Sequence, residues 1–210
     1  MSLLTAPLGL LQGLTKNLID STIGLAFALD EAESKFRKTT GASEAFAGGL
    51  TRVYNQVRET GAGLKEVSAG FGELYTTFTD FTYASESNRD SLVKTTAMLT
   101  QFGIQAGDVA KGIQLSTKAF GLSSAAATKN ALDLNAVALQ IGVAPAKVAA
   151  DFAAMGGELA KLGPNAISSF KQMEVVFKKT GFEMRKLLSL TEKFDTFEGA
   201  SESVGKLNAM

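Results

Sequence analysis

The sequence predicts an all-α chain, and three observations carry that prediction. Apolar residues recur at steps of three and four. In "VAPAKVAADFAAMGGELAKLGPNA", for instance, Val148, Phe152, Met155, Leu159 and Leu162 mark one stripe of a helix. Glycines at 103, 121, 142, 163 and 181 punctuate the second half at similar intervals, where helices close in the left-handed conformation. Period-two alternation, the mark of a half-buried strand, holds for only a few residues near Phe81 and Tyr83. The expected architecture is a set of long amphipathic, coiled-coil-like N-terminal helices followed by an array of short-turn helices. Its expected divisions are an N-terminal amphipathic helix over 1–40, a glycine-rich and aromatic helical segment over 41–84, and the helical array over 85–210.

Residues 10 to 36 place Leu11, Leu14, Leu18, Ser21, Leu25, Ala28 and Ala32 at helical steps, a seam suited to a coiled coil or a long packed helix, with a stop at Gly41. The seam weakens towards its alanines. Glycines are dense from 41 to 72, and each costs up to about 1 kcal/mol in a helix relative to alanine, so shorter or bent helices are expected there. One face of that region carries Leu50, Val53, Tyr54 and Val57. The stretch "LKEVSAGFGELYTTFTDFTY" has the threonine and aromatic content of a strand. Its stripe of Leu64, Val67, Phe71, Leu74, Phe78 and Phe81 aligns only on a helix, which is the reading adopted.

After residue 85, four of the five glycines precede an apolar residue (Ile104, Leu122, Val143, Phe182) that can fold back on the last turn. Gly163 precedes Pro164, which cannot continue a helix. Ser123 is an expected N-cap and Pro145 an expected first-turn residue. The helices between these stops are roughly 15 residues, or about 22 Å, long. They share turn chemistry more than sequence, so the array falls short of a solenoid repeat.

Composition narrows function by exclusion. Lysine plus arginine and aspartate plus glutamate are equal at 21 each, which argues against nucleic-acid binding through a basic face. Lys178 and Lys179 read as part of a solvated helix face. There is no Cys, His or Trp. Disulfides, thiolate zinc sites and Ser–His or Cys–His catalysis are therefore ruled out, and the commonest neutral-pH acid/base is missing. The reading is of a protein that is not an enzyme and needs no cofactor or metal.

The apolar N-terminus "MSLLTAPLGLLQGLTKNLIDSTIGLAF" lacks the basic region that opens a secretory signal, its first positive charge being Lys16. Gln12, Lys16, Asn17 and Asp20 interrupt it as a membrane span.

Motif searches return structure and no chemistry. "GASESVGKL" has five residues between Gly199 and Gly205, where a phosphate loop needs four, and Leu207 stands where Ser or Thr belongs. "GAGLKE" and "GFGELY" lack the third glycine of a dinucleotide fingerprint. Asp30, Glu31 and Glu33, and likewise Asp195 and Glu198, lack the looped spacing of a calcium site and read as solvated helix positions. In "TEKFDTFEGASES", Asp195 and Thr196 read as a helix break and N-cap.

Three longer stretches carry a resemblance. "LTQFGIQAGDVAKGIQLSTKAFGLSSAAATKNALDL", "ALQIGVAPAKVAADFAAMGGELAKLGPNAISSFKQM" and "FKKTGFEMRKLLSLTEKFDTFEGASESVGKLNAM" together resemble bacteriophage tail tape measure proteins. The resemblance is strongest from about residue 85 onward, and its most distinctive pieces are "KFDTFEGASESVGKLNAM" and "LGPNAISSFKQM". It implies a structural virion protein in the lumen or baseplate end of the tail tube, made in the host cytoplasm. Such a protein sets tail length, nucleates tube assembly from the baseplate or tail tip, and is released at DNA ejection. It also implies a homo-oligomer, a trimer before a hexamer, with tail-tube and hub proteins as partners and no specific nucleic-acid binding. Family members are usually much longer, so this chain is expected to be a segment of one.

Two other readings stay open: a membrane-active helical protein using the apolar N-terminus in transient contact with a host membrane, and a generic α-helical adaptor domain. On any of the three, the residues expected to matter are packing and self-association seams. These are Leu11, Leu14, Leu18 and Leu25; Leu64, Phe71, Phe78 and Phe81; and Val148, Phe152, Met155 and Leu159.

Overall fold

The structure is a computed structural model; it describes residues 6–181, with side chains described for 20–181 except Pro164. Among the described residues there is no strand. The chain runs through α1 (Ala6–Thr40), α2 (Glu44–Val57), α3 (Leu64–Thr77), α4 (Glu86–Thr100), α5 (Ala106–Lys118), α6 (Ser124–Ile141), α7 (Pro145–Ala154), α8 (Gly156–Lys161) and α9 (Ala166–Thr180). Short 3₁₀ turns occupy Arg58–Thr60 and Gly163–Asn165.

Local chemistry starts and stops these helices. The hydroxyls of Ser43, Ser85 and Ser123 accept hydrogen bonds from the amides of Phe46, Asn88 and Ala126, each satisfying an otherwise unpaired donor in a first turn. Gly63 has no side chain to do this; instead the Glu66 carboxylate reaches back and accepts from the Gly63 amide at 3.0 Å. Pro145 opens α7, as expected. The expected glycine stops all take positive φ: Gly41 at 71°, and those of the array between 55° and 79°.

At Gly142 the closure is complete: φ is 67°, and the Val143 amide folds back onto the Ala138 carbonyl at 2.9 Å. A Cβ at Gly142 would meet nothing within 4 Å, so Gly142→Ala isolates the backbone penalty. It is expected to lower stability by about 1 kcal/mol, measured from the urea midpoint. Ile104 is buried and Val143 packs on the core as expected; Phe182 lies outside the described residues.

Two apolar clusters organise the packing. The larger runs from Phe36 to Ala127, joining residues from either side of position 84. At its centre α3 packs on α4 and α5, α2 packs on α4, and the C-terminal part of α1 packs on α2 and α3. Its aromatic heart is edge-to-face, with Phe71 5.0 Å from Phe36, 5.8 Å from Phe46 and 5.5 Å from Phe81 between ring centroids. The smaller cluster gathers Leu134, Ala138, Val148, Phe152, Met155, Leu159, Ala166 and Phe170 from α6 to α9.

Three expectations need correction. The N-terminal region is one helix of 35 residues, about 52 Å long, and among the described residues it forms no coiled coil. Its last turns instead make a short antiparallel hairpin with α2, marked by the Thr51 hydroxyl donating to the Glu33 carboxylate and by Arg37 lying 3.5 Å from Glu44. The pairing is short because α2 has 14 residues, and α1 joins the core only from Leu29 onward.

The helix expected through Phe81 ends at Thr77, and Phe78 is extended at φ −92°, ψ 102°. The chain turns there because Phe78 and Phe81 both enter the core while the loop is clipped to α5. The Thr79 amide donates to Gln114 Oε1 at 3.1 Å, and Lys118 pairs with Asp80 at 2.6 Å.

The single helix expected from 145 to 162 is broken at Met155, with φ −88° and ψ 12°, into α7 and α8. Gly156 follows the break, and a Cβ there would lie 3.1 Å from Leu115 Cδ1, so α5 passes close to this turn and a larger residue would have to displace the leucine slightly. The break carries Leu162 off the stripe and leaves it exposed, while Val148, Phe152, Met155 and Leu159 stay buried. Gly163 does turn the chain, but its 3₁₀ turn runs straight into α9.

Candidate functional site

The expected seam residues divide into three groups. The side chains of Leu11, Leu14 and Leu18 lie outside the described residues. Leu25 and Leu64 are half-buried on α1 and α3. Phe71, Phe78 and Phe81 are buried in the larger cluster, and Val148, Phe152, Met155 and Leu159 in the smaller one. The buried seven are covered by their own chain.

Most of the charge chemistry clamps helices together. Arg52 on α2 donates to both oxygens of Asp90 on α4, through Nε at 2.7 Å and Nη2 at 2.8 Å, and its Nη1 lies 3.1 Å from Glu86. The hydrogen bond to Asp90 holds the Arg52 proton more tightly still. Asp90 is nearly buried while Arg52 keeps contact with solvent. Asp90→Ala is therefore expected to cost about 1.5 kcal/mol, below the cost of breaking a fully buried pair, because the freed guanidinium can hydrate. A urea midpoint that does not move would show the clamp to be energetically idle.

A second charged group sits in the smaller cluster. Glu174 on α9 is 2% exposed, and its Oε1 has no hydrogen-bond partner among the described residues. Burial pushes its carboxyl up from the usual range, the neighbouring Asp151 pushes it further, and Lys147 opposes both. Lys147 is already engaged with Asp151 on α7, so two carboxylates share one ammonium. On the rim of the same helix, Lys171 lies 3.6 Å from Asp133, and Lys178 Nζ donates to the Gly142 carbonyl at 3.1 Å. Lys178 thus ties the end of α9 to that of α6.

Among the described residues no three Asp or Glu side chains gather to hold a metal, and Glu33 is taken up by Thr51. A cavity of about 20 Å³ beside Phe152 is walled partly by Ser116, Asn130 and Asn135. It has room for about one water and none for a metabolite. No helix among the described residues is long and apolar enough to cross a membrane.

The surface holds what the sequence reading missed. On α1, Ile23 is 50% exposed and Phe27 is 72% exposed, on the side turned away from Leu29, Ala32 and Phe36. Beside them a groove of about 550 Å³ opens between α1 and α3, walled by small residues such as Ala28, Ala32, Ala69 and Gly72. The signal was present in the sequence: Ile23 and Phe27 are four apart and off the Leu18–Leu25 seam, two large apolar groups on what should be the polar face.

Among the described residues the chain is all-helical, with no strand. Comparison with protein-family models, with curated proteins and with solved structures finds no match to this chain.

Proposed function

We propose that this chain is a segment of a bacteriophage tail tape measure protein, acting as a structural element of the virion through helix–helix contacts. The observation that carries this reading is the exposed pair Ile23 and Phe27 on α1, next to an unfilled groove, in a fold whose charged groups otherwise clamp its own helices. Large apolar side chains left together on a helix face mark an assembly surface. The sequence resemblance over the array supplies the kind of assembly, and the equal numbers of basic and acidic residues suit a tube through which DNA must pass without being gripped.

α2 to α9 fold back on one another, so among the described residues α1 is the element that offers extended length. In this reading the segment anchors and assembles, and the measuring of length belongs to the longer protein. The test is immunogold labelling and mass spectrometry of particles assembled from the gene cluster that encodes the chain. Label on the tail is the expected result, and absence of the chain from purified particles overturns the reading.

A further inference from the structure

We infer that the groove between α1 and α3 receives the Ile23–Phe27 face of α1 from a second copy of this chain, a surface that deepens the assembly reading above and rests on it. Four observations meet there. The knob is apolar, with Phe27 72% and Ile23 50% exposed, and nothing lies within 4 Å of a Cβ at the intervening Gly24, so another helix can approach closely. The groove is lined by small side chains over Phe36 and Leu64, which suits a large side chain entering from outside. Ser68, in the groove wall, has a buried hydroxyl with no hydrogen-bond partner among the described residues.

The fourth observation is charge. Asp20 and Asp30 flank the knob, while Lys35 and Lys65 stand on the groove rim together with one acid, Glu31. Within the described residues none of these five forms an ion pair, although other charges on α1 to α4 do. Knob and groove are thus complementary in shape class, and a groove rim with two lysines to one acid faces an acidic knob; among the described residues both are left uncovered. The same acidic flank disfavours an anionic membrane as the occupant, since surface-lying helices carry lysine and arginine on their polar face.

Each copy offers a Phe27 and receives one in its own groove, so a variant that spoils only the knob or only the groove leaves the other half of the contact intact. That geometry gives a decisive experiment. The full chain should sediment as a defined oligomer at micromolar concentration. Phe27→Asp, at an exposed position, should weaken association at least 100-fold with no change in the thermal melt. The double variant Lys35→Glu/Lys65→Glu, which spoils the groove and spares the knob, should likewise be monomeric. Mixed, the two variants restore one good contact and should form a one-to-one dimer.

A wild-type monomer at all concentrations overturns the inference. So does an oligomer indifferent to both variants, or a mixture that stays monomeric. Loss of binding to phosphatidylserine vesicles in Phe27→Asp, without any change in mass, would assign the knob to a membrane and overturn it as well. Labelling of tails tests the broader reading separately, so a wrong surface and a wrong function give different results.

Discussion

Phe71→Ala is expected to destabilise the protein by about 4 kcal/mol. The ring is buried at the centre of the larger cluster, in edge-to-face contact with Phe36, Phe46 and Phe81 from three other segments. Its removal forfeits the transfer energy of the ring, leaves a cavity, and strands three aromatic contacts each worth about 1 kcal/mol. Against a typical total of about 5–15 kcal/mol, that is a large share. Urea unfolding followed by circular dichroism measures it; a loss under about 1 kcal/mol would mean the ring is not packed as described.

A second substitution sharpens the test. A Cβ on Gly49 would lie 3.1 Å from Phe71 Cε2 and Cζ, and the buried ring has little room to yield. Gly49→Ala should therefore destabilise the native protein, yet in the Phe71→Ala background the clash is gone and the helix preference of alanine is worth up to about 1 kcal/mol. A reversal of sign between the two backgrounds is the coupling that contact predicts.

Glu174→Gln is expected to stabilise the protein at neutral pH by about 2 kcal/mol, the scale of a buried group left without a partner. The sign follows from burial. The folded state holds the Glu174 proton more tightly than the unfolded chain, whose reference value is 4.5. Its stabilising contribution is thus full below the unfolded value and is lost as pH rises through the higher folded value. The groups facing this carboxyl are Asp151, which opposes its ionisation, and Lys147, which favours it.

Wild type and variant should accordingly differ most in melting temperature near pH 8 and draw together as pH falls towards 4. Parallel curves at all pH values would show that Glu174 is ionised without penalty, and that some partner satisfies it. Because α9 packs on α6 and α8, hydrogen exchange in α9 is where the same pH dependence should be sharpest.

The class of the fold was legible in the sequence because it rests on local chemistry. Gly103, Gly121, Gly142 and Gly181 close helices with positive φ because only glycine does so at no steric cost, and a residue's own φ needs no distant partner. Ser123 caps α6 through a bond three residues away. Of the stripe expected from spacing, Val148, Phe152, Met155 and Leu159 are buried while Leu162 is exposed, because spacing assigns residues to a face only as far as the helix runs unbroken.

What covers each face was decided by tertiary structure. The stripe Leu64 to Phe81 continues the helical spacing past Thr77, but the helix does not, because turning puts Phe78 and Phe81 in the core and the loop in contact with Gln114 and Lys118. At the break after Met155, Gly156 comes against Leu115 of α5, a neighbour far away in sequence. Pairing Arg52 with Asp90, isolating Glu174 beside Asp151, and leaving Phe27 beside an open groove all require knowing which helices are neighbours.

The sequence by itself determined that this chain is helical, where most of its helices begin and end, and which reaction chemistries its residue set rules out. Which apolar side chains are covered and which stay exposed was settled only when the helices packed. Burial is a property of pairs of surfaces, and a one-dimensional pattern contains one surface at a time.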